Sequence, residues 1–280
     1  MTKPTVQRRR LAAKLRNLRA EADVVPERVL EELNWSRSKL SRIENAVSGI
    51  SVPDVRALCG IYGVQAELTA GLCAMSKQSK GRGWWRAYDD ALSEYFSDYL
   101  ELESEAVSIT SFEVDLIPGL CQTEEYARSV IRSWAPDIDD GQVNRRTELR
   151  VARQTRIEEG VPFWVVIDEA AIRRICGSRE IMATQLKTLI ETARMPNVTL
   201  QVLPFSAGTH AAMGTPFTKL DFEALYDPVV YIDTLTSALY LEDQEEVARY
   251  ALAIEHLRAA ALDPRQSLSS LKRVRGEIGG

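Results

Sequence analysis

Residue types that often carry enzyme chemistry are scarce in this chain of 280 residues. It has two histidines, His210 and His256, and neither lies in a recognisable nucleophile or metal motif. Its four cysteines show no CxxC or Cys/His spacing, and each has apolar neighbours; they are Cys59, Cys73, Cys121 and Cys176. Such thiols are usually buried and reduced. The sequence therefore indicates no metal or cofactor, and we expect the protein not to be an enzyme.

Long apolar runs are also lacking. No segment approaches the roughly 18 consecutive apolar residues of a membrane helix, and the basic N-terminus is not followed by an apolar stretch. We therefore expect no membrane span, no secretory signal and a cytoplasmic location. A Gly-rich phosphate turn and strict strand-helix alternation are missing as well, which disfavours a doubly wound nucleotide-binding fold.

The remaining acid-base candidates have simpler explanations. Asp168 and Glu169 are adjacent at a strand-to-helix junction, where helix capping explains them. His210 lies in a predicted loop, where a solvated or hydrogen-bonded histidine is the common case. An enzyme would instead require the surroundings of Asp168, His210 and Asp221 to converge in one pocket.

Charge divides the chain into two parts. Residues 1–82 contain 15 Lys and Arg against 8 Asp and Glu, a balance of +7, and the remaining residues contain 20 against 32, a balance of −12. The whole-chain charge of −5 hides this division. A basic N-terminal unit on an acidic body is typical of a protein that contacts nucleic acid through one end.

The segment 35–45 has the pattern of a DNA-reading helix. Leu40 and Ile43 are three residues apart and can point into a core. The opposite side of the same helix carries Ser38, Ser41, Arg42 and Asn45, flanked by Arg37 and Lys39. Arginine can bind guanine acceptors in the major groove, and serine can serve as donor or acceptor there. The four outer residues are the predicted DNA-reading face, and the two flanking cations are predicted to contact DNA beside it.

The residues before this helix complete a helix-turn-helix pattern. A first helix is predicted over 8–20, and a second over 27–33 after Pro26. Asn34 tolerates a left-handed backbone at the turn, and Ser36 can cap the third helix. Another helix is predicted from Pro53 to Tyr62, ending at Gly63.

Several cations of this region lack a position for reading bases. They are Arg8, Arg9, Arg10 and Lys39. We expect them to bind mostly backbone phosphate, which supplies affinity rather than sequence preference.

The segment 8–72 resembles the Cro/C1-type (XRE-type) helix-turn-helix domain. The resemblance is closest at 35–44, Trp-Ser-Arg-Ser-Lys-Leu-Ser-Arg-Ile-Glu. Leu30 and Asn34 stand where that family usually has a small residue and a glycine, so Leu30 needs extra room where the helices cross. The resemblance implies binding of double-stranded DNA.

Further motifs resemble one group of actinobacterial regulators, in which the XRE-type domain precedes a long, antitoxin-like domain. They are Gly83-Trp84-Trp85 and the segments 117–127, 168–174 and 196–205. The resemblance implies a transcription regulator and pairing with a small protein encoded by a neighbouring gene.

Composition and periodicity predict the domain organisation. We expect a helix-turn-helix domain at 1–76, a linker rich in Ser, Lys and Gly at 77–83, and a regulatory domain at 84–280. The first is all-α and the second is α+β. In the second, strands are predicted at 106–116, 163–167, 198–203, 217–222 and 229–235, and helices at 123–133, 141–159, 169–176, 180–193 and 242–261.

Two segments of the second domain have alternative interpretations. The aromatic residues between Trp84 and Tyr99 recur at helical spacing, which favours packing on the core; alternatively Trp84, Trp85 and Tyr88 bind a partner or effector. The cation-rich run 144–156 is typical of a solvated helix face, with binding of an acidic partner or DNA as the alternative.

Two functions remain. The first is a sequence-specific, homodimeric transcription regulator whose second domain binds a small protein or effector. The second is an antitoxin-like protein that neutralises the neighbour-encoded partner and regulates its own gene through DNA binding.

Overall fold

The chain forms two compact units, divided between Arg86 and Ala87. The computed structural model describes residues 6–78, 84–223 and 227–279. Most of the predicted linker, and Gly83 of the Gly-Trp-Trp motif, lie outside the described residues. The domain limits at 76 and 84 stay a prediction.

The first unit is all-α. Its helices are α1 (Val6–Glu21), α2 (Pro26–Leu33), α3 (Arg37–Glu44), α4 (Val52–Tyr62) and α5 (Ala66–Gln78). The apolar residues that predicted the first four helices form the core, with Leu15, Val29, Val55 and Leu58 fully buried. The helix-turn-helix pattern of α2 and α3 is thereby confirmed as local structure. The helix α5 was not predicted.

The predicted turn between α2 and α3 is also confirmed. Asn34 has φ 50° and ψ 46°, the left-handed conformation that asparagine tolerates better than most residues. The amide of Trp35 donates to the carbonyl of Leu30 at 3.0 Å, which closes the end of α2. Leu30 itself is half-buried.

The second unit is built on a mixed sheet of six strands. They are β1 (Ser108–Glu113), β2 (Phe163–Asp168), β3 (Val198–Leu203), β4 (Phe217–Asp221), β5 (Val229–Asp233) and β6 (Ala238–Leu241). The spatial order is β3-β2-β1-β4-β5-β6. β1, β2 and β3 are parallel, whereas β4, β5 and β6 continue the sheet antiparallel. Phe163 pairs with Ile109 on one side and Val198 on the other.

Helices cover this sheet. They are α6 (Glu94–Glu105), α7 (Glu124–Trp134), α8 (Asp140–Ala152), α9 (Thr155–Glu158), α10 (Glu169–Arg173), α11 (Arg179–Thr192), α12 (Gln244–Ala260) and α13 (Pro264–Gly279). Short 3₁₀ helices occupy Trp84–Tyr88, Gly119–Cys121 and Phe205–Ala207. α12 packs on β3 and β5, and α13 packs on α11 and β3. The expected fold class, an all-α unit followed by an α+β unit, is confirmed.

Some predicted boundaries were wrong. The helix expected over 141–159 is interrupted after Ala152, where Gln154, Arg156 and Ile157 bond three residues back. The helix expected to reach Cys176 ends at Arg173, because Arg174 is extended. The strand β6 and the helix α13 were not predicted.

Two expectations about the whole chain can be compared with the structure. Cys59, Cys73 and Cys121 are buried, Cys176 is half-buried, and all four are free thiols. Among the described helices, none has both the length and the apolar character needed to cross a membrane.

Candidate nucleic-acid interface

The helix α3 is held on the first unit by its inner face and its start. Leu40 and Ile43 are each 3% exposed, as their spacing predicts. The hydroxyl of Ser36 accepts a hydrogen bond from the amide of Lys39 at 3.2 Å, which confirms the predicted N-cap. The buried side and the start of α3 therefore follow from local sequence signals.

An ion pair that the sequence analysis missed fixes the other end of α3. Arg19 of α1 donates from Nε and Nη2 to the two carboxylate oxygens of Glu44, at 2.7 and 3.0 Å. The hydrogen bond to Glu44 raises the pKa of Arg19. The two side chains are 16% and 11% exposed, so solvent screens the pair only in part. Partners separated by 25 positions leave no local sequence signal.

The predicted reading face lies at the surface. Ser38, Ser41, Arg42 and Asn45 are all exposed. The guanidinium of Arg42 makes no hydrogen bond or ion pair with any described residue, so it can reach a ligand without breaking a contact. Asn45 is more constrained, because its Nδ2 donates to the carbonyl of Ser41 at 2.8 Å and to its hydroxyl at 3.3 Å.

The two flanking cations already contact carboxylates within the unit. Arg37 is 76% exposed and forms an ion pair with Glu27 of α2. The ammonium of Lys39 lies 3.2 Å from the Asp54 carboxylate and 3.7 Å from the centre of the Trp35 ring. Such exposed pairs are weak and can exchange for a phosphate. DNA contacts by both residues stay predictions.

The expectation that Arg10 lies at the surface is wrong. Helix α1 begins at Val6, and Val6, Gln7, Arg10 and Leu11 share its buried side. Arg10 is 9% exposed, so little of its side chain can reach phosphate. Arg8 and Arg9 are half-buried and remain candidates for phosphate contacts.

The candidate partner residues lie on the short 3₁₀ helix Trp84–Tyr88, which is separate from the helix α6 that carries Tyr99. Trp84 and Trp85 pack edge to face, with ring centres 6.1 Å apart, and Trp84 is 44% exposed. Tyr88 lies under the guanidinium of Arg145, at 4.7 Å. Partner or effector binding by Trp84, Trp85 and Tyr88 stays a prediction.

The cation-rich run is only in part a solvated face, which corrects that interpretation. Arg153 is 6% exposed and donates to both carboxylate oxygens of Glu103, at 2.8 and 2.6 Å. Arg150 is half-buried and donates to Gln122. Since both arginines lie on the inner side of the bent segment α8–α9, the run faces inward as well as outward.

The three residues that an enzyme would need in one pocket have local roles instead. Asp168 accepts from the amide of Ala170 at 2.8 Å and caps α10, as predicted. The Nδ1 of His210 accepts from the amide of Ala212 at 3.3 Å, and Asp221 accepts from Ser108 at 3.0 Å. None of the three lines the large cavities found in the described residues.

Comparison with known proteins finds a separate family model for each part of the chain. A family model described as a helix-turn-helix domain matches residues 10–72. A second model, described as a domain of unknown function (DUF5753), matches residues 96–273. No curated protein and no solved structure matches the chain.

Proposed function

Because the chain belongs to the family defined by a domain of unknown function (DUF5753) and carries a helix-turn-helix domain, we propose that it regulates transcription by reading a DNA sequence. The observation that carries the proposal is the outer face of α3. It is exposed and polar, and Arg42 on it has no partner among the described residues. A helix of this kind fits the major groove of B-DNA.

The contacts are expected to divide by role. Arg42 and the serines of α3 read base edges, Arg37 contacts the groove near the helix start, and Arg8 and Arg9 bind phosphate. The ion pair of Arg19 with Glu44 supports this role, because it holds α3 at a fixed position for base contacts.

The proposal also covers the type of the DNA-binding unit, its location in the cell and the number of copies on DNA. The unit is of the Cro/C1 (XRE) type and works in the cytoplasm on double-stranded DNA. Two copies of the chain bind one operator, because a single helix-turn-helix unit reads only a few base pairs. The actinobacterial grouping rests on the motifs at 117–127, 168–174 and 196–205.

The second unit acts in regulation rather than in catalysis under this proposal. Asp168, His210 and Asp221 serve local structure, which supports that view. A small protein from a neighbouring gene, bound near Trp84, Trp85 and Tyr88, stays a prediction, as does the antitoxin-like alternative.

The proposal is tested by selecting binding sites from a random duplex library with the full chain. We expect one enriched motif, bound far more tightly than random DNA. Ser38→Glu places a carboxylate on the reading face and should abolish enrichment. Ser269→Glu makes the same change on the exposed side of α13 and should leave enrichment unchanged. Enrichment that survives Ser38→Glu, or no enrichment by the unaltered chain, would contradict the proposal.

A further inference from the structure

The second unit contains a cavity of about 690 Å³ that none of the DNA contacts uses. It is lined by the ends of β1 and β5, by α8, and by the segment 115–122. This volume is within the range of sites for small organic molecules, roughly 300–1,000 Å³. Trp84, Trp85 and Tyr88 are not among its lining residues.

Much of the cavity wall is apolar. Phe96 and Phe163 line it together with aliphatic side chains of the segment 115–122. Trp134 and Asp233, which are exposed, also line it, so the cavity is open to solvent on their side. The wall can therefore hold an apolar group that enters from outside.

Arg150 brings a guanidinium to this cavity without a carboxylate partner. Its Nη1 donates to the Oε1 of Gln122 at 3.0 Å, and it forms no ion pair with a described residue. Burial, together with the neighbouring Arg153, lowers the pKa of Arg150 to about 10. Most of its donors thus remain for an anion.

Glu113 brings a carboxylate to the same cavity without a cationic partner. Its Oε1 accepts from the hydroxyl of Ser111 at 2.8 Å, and it too forms no ion pair with a described residue. Burial raises the pKa of Glu113 to about 7, although Ser111 and Arg150 oppose the rise. Arg150 and Glu113 are therefore near neighbours that do not contact each other.

A third polar group of the cavity also lacks a partner. Tyr231 is 6% exposed, and its hydroxyl makes no hydrogen bond with a described residue. Burial and the nearby Asp233 carboxylate raise the pKa of Tyr231. A buried hydroxyl without a partner costs free energy that a ligand can recover.

Other charged side chains of the cavity do have partners. Arg153, which also lines the cavity, is paired with Glu103 through two hydrogen bonds, and Tyr99 donates to the same carboxylate at 2.7 Å. Arg153 is thus paired with a carboxylate, whereas Arg150 is not. A guanidinium and a carboxyl group that do not pair with each other in one cavity fit a ligand that carries both charges.

We propose that this cavity binds an amino-acid-like zwitterion with an apolar side chain. Its carboxylate lies on the guanidinium of Arg150, a pairing of matched planar geometry. Its ammonium lies on the carboxylate of Glu113, and its side chain lies against Phe96 and Phe163. Binding itself needs no DNA, but the ligand's role as an effector rests on the proposed function.

Three matched probes test the charge requirement by titration calorimetry on the full chain. L-phenylalanine carries both charged groups, phenethylamine lacks the carboxylate, and 3-phenylpropanoate lacks the ammonium. We expect L-phenylalanine to bind about tenfold or more tightly than either truncated probe. Equal binding by one truncated probe, or no binding of L-phenylalanine at millimolar concentration, would overturn the proposal.

Two variants assign the charges to residues. Arg150→Gln should bind L-phenylalanine no better than phenethylamine, and Glu113→Gln should bind it no better than 3-phenylpropanoate. Arg128→Gln and Glu148→Gln change exposed residues of α7 and α8 and should leave all three affinities unchanged. If a variant does not fold, the three probes on the unaltered chain decide.

A DNA titration with and without L-phenylalanine separates this proposal from the proposed function. Loss of DNA binding in Ser38→Glu with intact L-phenylalanine binding supports both. Binding of L-phenylalanine by a chain that selects no DNA motif would contradict the proposed function and leave the cavity site standing.

Discussion

Arg42 is the residue whose replacement best separates base reading from general affinity. Because it is exposed without a partner among the described residues, Arg42→Ala removes no contact that holds the unit together. If it binds a guanine through two hydrogen bonds, the variant should lose about 1–3 kcal/mol on the selected site and much less on random DNA. Competition binding measures both. Arg28→Ala, an exposed arginine of α2, is the control, and equal losses on both DNAs would assign Arg42 to phosphate.

The arginines of α1 differ in burial, and their replacement should differ accordingly. Arg8→Ala or Arg9→Ala should flatten the slope of log affinity against log salt by about 0.9, because each removes one phosphate contact. Arg10→Ala should keep that slope and lower stability instead, since Arg10 is 9% exposed. Binding across a salt series decides the point: an unchanged slope excludes the replaced residue from the interface.

Glu113 makes stability depend on pH. Burial raises its pKa from 4.5 to about 7 in the folded state, so the folded protein favours the protonated form. The stabilisation is fully present below the unfolded pKa of 4.5 and is lost as pH rises through about 7. The free energy of unfolding of the unaltered chain should therefore fall between about pH 5 and pH 8.5. In Glu113→Gln this fall should be smaller by roughly 2 kcal/mol, a value reduced from the full effect because the cavity is open to solvent.

Urea unfolding at both pH values measures that difference. Glu148→Gln, on the exposed side of α8, should reproduce the pH dependence of the unaltered chain. An identical pH dependence in Glu113→Gln and the unaltered chain would contradict the assignment of the raised pKa to Glu113.

At the scale of elements, the turn between α2 and α3 determines where the reading helix starts. Asn34 has φ 50°, a conformation in which a β-carbon is unfavourable unless a local side-chain contact compensates. Asn34→Ala should lower the stability of the unit by about 1 kcal/mol, whereas Asn34→Gly should change it by only a few tenths. Hydrogen exchange of the α2 and α3 amides measures the effect. Asn17→Ala, at an exposed position of α1, should not lower stability. A loss of stability in Asn17→Ala equal to that in Asn34→Ala would argue against the turn as the cause.

Elements with capping and turn signals were the ones that the sequence could predict. Ser36, Asn34 and Gly63 mark helix ends by their own chemistry, and the structure places helix ends there. The strand β6 has only four residues at the edge of the sheet, too few to show an alternation. The helix α13 buries Ser267 and Ser270 along with its apolar residues, so its stripe is incomplete in the sequence. In both cases the tertiary neighbours, rather than local pattern, stabilise the element.

At the scale of the whole molecule, charge and hydrophobic pattern predicted two units of different class but not the arrangement of the sheet. The order of β1, β2 and β3 depends on parallel pairing between strands that are far apart in sequence. The cavity was missed for the same reason, because Glu113, Arg150 and Tyr231 come from three distant segments. The cation-rich run at 144–156, which contributes Arg150 to the cavity, was noticed in the sequence. Its periodicity alone did not show that one side of the run faces inward.

The last prediction concerns two copies of the chain on one operator. Among the described residues 6–78, only Val25 and Val47 are large apolar side chains that are exposed, which leaves little surface for a stable interface. We therefore expect the second unit to dimerise. A fragment of residues 1–78, cut where α5 ends, should be monomeric and bind one half-site weakly. The full chain should bind two half-sites roughly 34 Å apart cooperatively. Sedimentation and binding on one and two half-sites measure this, with residues 87–280 as the control that should dimerise without binding DNA. If 1–78 bound the full operator as tightly as the intact chain, the second unit would not be the dimerising element.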